Sequence, residues 1–188
     1  MARKPRVWYP NTYYHVTCRG NRKNDIFLDH LDFKVYLKFL KVALKDFEDT
    51  PYEILSYCLM NNHVHLLIYA SSNTLGPLIQ KVNMRYAIYF NKKYDHTGHL
   101  FQDRYFSDFL ANTAQVLAVS RYIHLNPTAA YMVERPEHYP YSSYQTLIGT
   151  QESSLVNCEK ILSYFHLHPD QSRALYKEFV EMPLQDKK

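Results

Sequence analysis

The chain has 188 residues, 46% of them hydrophobic and 21% charged, with a formal net charge of +4; this suits one substantial core in an ordinary globular protein. No stretch approaches the roughly 18 apolar residues of a membrane span, and no apolar signal core follows Met1-Ala2-Arg3-Lys4-Pro5-Arg6, so a cytoplasmic protein with no membrane partner is expected. Cys18, Cys58 and Cys158 have no CxxC spacing, which excludes a cysteine zinc ribbon and fits reduced, buried thiols.

The charge is unevenly spread. Residues 1–23 carry six basic side chains (Arg3, Lys4, Arg6, Arg19, Arg22, Lys23) and no acidic one, and residues 1–150 hold a net +5 against −1 for residues 151–188. A polyanion would meet the first part of the chain; the plainer alternative is a solvated basic tail. Eighteen tyrosines and ten phenylalanines offer stacking surfaces to unpaired bases.

Tyr13–Cys18 is β-rich and Arg19-Gly20-Asn21 ends it as a turn. In Asp32–Leu44, Phe33, Tyr36, Leu37, Leu40 and Leu44 recur at helical spacing opposite Lys34, Lys38, Lys41 and Lys45. Two further β-rich runs, Pro51–Met60 and His63–Tyr69, flank Asn61-Asn62, a two-residue hairpin turn built on the tolerance of asparagine for positive φ. Leu75, Leu78, Ile79, Val82, Tyr86 and Phe90 mark a second long helix, capped by Asn73 or Thr74. A fourth strand is expected over Leu100–Leu110, after a turn at residues 95–98. The order strand, helix, strand, strand, helix, strand is that of a ferredoxin-like split βαβ unit, an α+β fold with an antiparallel sheet and two helices on one face.

Within the hairpin, His63-Val64-His65 places two imidazoles on the same face of a strand, half of a divalent-metal site. After the fourth strand, Asn112 or Thr113 caps a shorter helix from Ala114 to His124, which Asn126-Pro127 is expected to stop. Tyr122 and Asn126 stand one helical turn apart on nearly the same face. If that end packs over the histidine hairpin, His63, His65 and Asn126 become metal ligands and Tyr122 a nucleophile above them.

Asn62-His63-Val64-His65-Leu66-Leu67, residues Gly98–Tyr105 (GHLFQDRY) and residues Ser120–Pro127 (SRYIHLNP) together resemble the REP-associated tyrosine transposases, insertion-sequence transposases of the HUH (His-hydrophobe-His) single-strand nuclease superfamily. Residues Tyr14–Asn21 and Tyr139–Tyr144 support the resemblance, which spans roughly residues 9–149. It implies a metal-dependent single-stranded DNA endonuclease and strand transferase. Such an enzyme works at hairpin-bearing DNA ends through a 5′-phosphotyrosine, often as a homodimer, with Mg²⁺ or Mn²⁺ as cofactor, at the nucleoid. Tyr122 matches the family's nucleophile, His63 and His65 its histidine pair, and Asn126 its third ligand, where better-known relatives carry Gln. Arg19 and Asn21 at the end of the first strand, with Gln102, Arg104 and Tyr105 in the fourth, are expected to supply DNA contacts.

Other readings compete. His166-Leu167-His168 repeats the pattern beyond the sheet; His96 and His99 read as loop residues; His124 lies on another helix face. Tyr105, Tyr139, Tyr141 and Tyr144 are nucleophiles by type alone, or core and stacking residues. The catalytic domain is expected over residues 1–150. A helical extension over 151–188 would be a DNA-binding appendage, a dimer contact or packing for the main domain. A binding module without catalysis and a metal phosphohydrolase using water are the rival functions.

Overall fold

Alternation along β1 (Thr12–Arg19) sends Tyr14, Val16 and Cys18 into one core and leaves Tyr13, His15, Thr17 and Arg19 on the opposite face. The computed structural model describes residues 8–49, 51–166 and 168–182; the basic side chains of Arg3, Lys4 and Arg6 lie outside them. Chain order continues through α1 (His30–Lys45), β2 (Tyr52–Met60), β3 (His63–Ala70), α2 (Leu75–Tyr94), β4 (Phe106–Leu110) and α3 (Thr113–Ala129). The four strands form one antiparallel sheet in the order β2-β3-β1-β4, the ferredoxin-like arrangement expected from the element order.

Each face of the sheet has its own core. On one, Phe33, Tyr36 and Leu40 of α1 and Leu78, Ile79, Val82 and Tyr86 of α2 cover Tyr14, Val16, Val64, Leu66 and Ile68. On the other, Val116 and Ile123 of α3 cover Leu55, Cys58, Met60 and Leu67. Because β2 is covered on both sides it reads as a nearly continuous apolar run, with a bulge between Ile54 and Ser56.

Four local expectations change. α1 starts earlier than Asp32, because Asp29 caps it by accepting from the N–H groups of Leu31 and Asp32, while Asp32 answers with a bond from the Asp29 N–H. Neither Asn61 nor Asn62 takes a positive φ; the hairpin turn is held from outside, its carbonyls accepting from Gly20, Ile26 and Phe27. β4 covers only the second half of Leu100–Leu110. Phe101 bridges Gly20 and Phe106 pairs with Thr17, so residues 102–105 stand against only Cys18 and Arg19 and must loop outward. α3 runs through Pro127, which is buried inside it, and ends on bonds from Met132 N–H to Pro127 O and Tyr131 N–H to Thr128 O. Burial of the proline outweighs the local bias against helix before it.

The end of the chain packs on the α3 face. The short α4 (Tyr144–Leu147) and α5 (Glu159–Leu162) precede α6 (Pro169–Glu181), and Ile161, Leu162, Tyr176 and Val180 join the core beneath α3. Asn157 N–H bonds to Ile54 O, and Lys160 pairs with Glu53 at 2.6 Å. Among the described residues, no helix is long and apolar enough to cross a membrane.

Candidate functional site

Register brings the histidines together. Arg19 faces His63 and Thr17 faces His65 across the β1–β3 ladder, and all four side chains lie on the sheet face that α3 covers. The His63 and His65 rings stand 4.7 Å apart between centroids, nearly perpendicular. Tyr122 comes down from α3 with its ring edge-on to His65 at 5.5 Å and to His15 at 5.8 Å. His63, His65 and Tyr122, with Thr17, Arg19, Gln102, Arg104 and Phe106, line a groove of about 620 Å³. Tyr122 remains 52% exposed at its edge.

Hydrogen bonds fix each ring. His63 Nδ1 lies 2.6 Å from Asn62 Oδ1, and an amide oxygen only accepts, so the proton sits on Nδ1 and the Nε2 lone pair is left free. His65 Nδ1 lies 3.0 Å from His15 Nε2 and 3.2 Å from Thr17 Oγ1, whereas its buried Nε2 has no partner among the described residues. Burial, helped by the Arg19 charge, lowers the His63 pKa to about 4; burial, then His63 and His15, lowers that of His65 to about 3. Both rings are therefore neutral at pH 7, the state a metal ligand requires. An orphaned ring nitrogen beside a second neutral imidazole fits a divalent ion.

Asn126 is not part of this groove. Its Nδ2 donates to the Tyr122 carbonyl at 2.7 Å, and its side chain lines a separate concavity on the outer side of α3. Tyr122 is long enough to reach both openings, whereas the asparagine amide, one turn on and shorter, is held by its own helix. Beside the groove, against His65 and Tyr122, stands His15, a residue that the sequence offers only within the motif Tyr14–Asn21. Its signal was two-residue spacing from Thr17 and four-residue spacing from Arg19, which puts all three on one strand face. Asp108 of β4 faces His15 directly and opposes the lowering of its pKa by burial.

The expected DNA contacts divide. Arg19, Gln102 and Arg104 rim the groove, the last two on the outward loop rather than in a strand. Tyr105 is buried in the core under α1 and α2 and offers the groove only an edge. Asn21 sits in the turn after β1, its N–H bonded to Leu100 O, outside the groove lining.

Rival nucleophiles and ligands are engaged elsewhere. Tyr139 donates to Leu59 O, Tyr144 to Glu181, and Tyr141 stacks on Phe33 at 3.6 Å. His166 and His168 stack on each other in the turn before α6. His124 is fully buried between Tyr176 and Ser143, at 2.7 and 2.9 Å. Tyr176 also meets Ser120, which meets Ser56 of β2. This chain of buried bonds ties α3 to the sheet and to α6, fixing the rotation at which α3 presents Tyr122.

A family model described as "Transposase IS200 like" matches residues 9–126. A solved structure of a REP-associated tyrosine transposase bound to a REP hairpin is 14% identical; the alignment covers 84% of this chain and 98% of that one, at a TM-score of 0.65. A Deinococcus radiodurans protein provisionally described as a transposase gives 16% identity, coverage of 65% and 95%, and a TM-score of 0.45. The tRNA(His) guanylyltransferase of Saccharomyces cerevisiae gives 11%, 93% and 74%, and 0.47. Curated protein sequences returned no significant match.

Proposed function

The chain belongs to the IS200-like transposase family, enzymes that cut and rejoin DNA, and from that premise we propose that it cleaves single-stranded DNA at hairpin-bearing ends through a covalent bond to Tyr122. The observation that carries this reading is an exposed tyrosine edge-on to His65 in an open, arginine-rimmed groove that it shares with His63. A likeness in fold to a hairpin-bound relative agrees with a hairpin substrate.

His63 and His65 would hold Mg²⁺ or Mn²⁺ through their Nε2 atoms. Asn126, the third ligand that the resemblance names, would have to give up its bond to the Tyr122 carbonyl and turn from the outer concavity to join them. When bound, the ion supplies charge to grip the scissile phosphate and offset negative charge developing in the transition state. His15, Thr17 and Asn62 orient the two rings. Arg19 and Arg104 attract the strand's phosphates, and Gln102 adds a polar contact on the same rim.

The Tyr122 hydroxyl oxygen attacks phosphorus, forming a P–O bond to the 5′ side of the break while the bond to the 3′ oxygen breaks. The phenol loses its proton and the departing 3′ oxygen gains one, leaving a 5′-phosphotyrosine and a free 3′-hydroxyl. One phosphodiester replaces another, so a second 3′-hydroxyl can reverse the step and join a new strand without ATP. With one such tyrosine per chain, a homodimer would serve two DNA ends. Trapping a covalent DNA adduct that depends on Tyr122 tests the proposal.

A further inference from the structure

Beside the histidine groove, α3 carries a second concavity of about 540 Å³ on the face it turns away from the sheet. Ala118, Leu125 and Ala129 supply its apolar floor, Phe179 of α6 walls it, and Tyr122 and Tyr131 both line it. Tyr122 lines both openings, so whatever lies against the nucleophile in one is continuous with the other. The two tyrosines are nine positions apart in the chain, about 13 Å along the helix direction.

Tyr131 is the telling residue. It closes α3 in a left-handed conformation with φ of 56°, at the position after the helix where glycine is favoured because a side chain there is strained. It is also 96% exposed, so it takes no packing energy in return. The fold gains nothing from a tyrosine at this position; what the ring offers is an aromatic face at the rim of an apolar slot. Strain of this kind, stored at an exposed aromatic, points to recognition. Thr128 belongs to the lining, but its Oγ1 is buried, with no partner among the described residues. Arg121 adds positive charge to the wall, its guanidinium 5.7 Å from the Phe179 ring centre and bonded to the carbonyls of Val180 and Met182.

We propose that this concavity receives one unpaired nucleobase of the substrate strand, the base next to the phosphate that Tyr122 attacks, stacked by Tyr131 over the apolar floor. The inference rests on the functional reading above. A nucleobase is the occupant that matches an apolar floor, an aromatic at the rim and a cation in one small volume beside the nucleophile.

The test is equilibrium binding by fluorescence anisotropy in a Tyr122→Phe background, so that no cleavage intervenes. The probe is a fluorescein-labelled DNA hairpin with a single-stranded flank, in which one abasic position is walked along the flank. Tyr131→Gly removes the ring and relieves the strain, so its Tm should equal or exceed that of the background while its affinity falls roughly 5- to 100-fold, the usual worth of one stacked base. Tyr131→Phe should bind within about twofold of the background. At one position the abasic probe should weaken the background protein and leave Tyr131→Gly unaffected. Unchanged affinity in Tyr131→Gly would overturn the base site while leaving the functional reading intact. Failure of the background protein to bind any single-stranded probe would overturn both. A dimer in sedimentation that Tyr131→Gly dissociates, with DNA affinity unchanged, would assign the concavity to a second copy of the chain instead.

Discussion

His15 Nε2 lies 3.0 Å from His65 Nδ1, diagonally across the β1–β3 ladder, and its neighbour Thr17 approaches the same nitrogen at 3.2 Å. The two together turn the His65 ring so that its other nitrogen is buried and has no partner among the described residues. Partners of this kind fix ring orientation and tautomer for metal binding.

His15→Ala is accordingly expected to weaken Mn²⁺ affinity about 10- to 100-fold, the usual worth of such a partner, while the half-buried position keeps the loss of Tm to a few degrees. Mn²⁺ titration followed by electron paramagnetic resonance reads the affinity without requiring activity. Unchanged affinity would remove His15 from the site.

Arg104 stands exposed on the outward loop, where four residues oppose two of β1 and the groove gains its rim. If it meets a phosphate, Arg104→Ala weakens binding of single-stranded DNA of any sequence and reduces the slope of log affinity against log salt by about 0.7, the value for one phosphate contact on a single strand. Binding isotherms at three or four salt concentrations measure this. A sequence-dependent loss with an unchanged slope would assign Arg104 to a base instead.

Long-range pattern was legible in the chain, whereas contacts that depend on packing were not. Helical spacing in α1 and α2 and the two β-rich runs around Asn61-Asn62 led directly to the sheet order, because periodicity reports which face is buried. The outward loop at 102–105 was hidden, since its extra residues are visible only against the two of β1 that they oppose. Pro127 read as a stop because the local rule says nothing of burial. The role of His15 is hidden because its meeting with His65 depends on strand register, and the choice for Tyr105 between DNA contact and core packing stays open in the sequence because nothing in its type reports burial. Asn126 shares a face with Tyr122 as its spacing implied, yet side-chain length decides which groove each reaches.

His124 predicts an acid sensitivity unrelated to catalysis. Complete burial lowers its pKa to about 3, against about 6.5 unfolded, so between those values the unfolded state binds more protons and stability rises with pH. Acidification from pH 6.5 should therefore cost up to about 1.4 kcal/mol per pH unit from this residue alone. His63 and His65, lowered in the same direction, add to the slope. Urea unfolding midpoints at pH 7, 6 and 5 measure it, and a midpoint that holds constant over that range would contradict the buried neutral assignment.

The central claim is the covalent role of Tyr122, and the most direct measurement is incubation of the wild type and of Tyr122→Phe with end-labelled single-stranded hairpin DNAs and Mg²⁺ or Mn²⁺, resolved on a denaturing protein gel. Label should migrate with the wild-type protein, disappear in Tyr122→Phe and require both the metal and His63. Cleavage of the DNA without any labelled protein, or an adduct that survives in Tyr122→Phe, would contradict the claim.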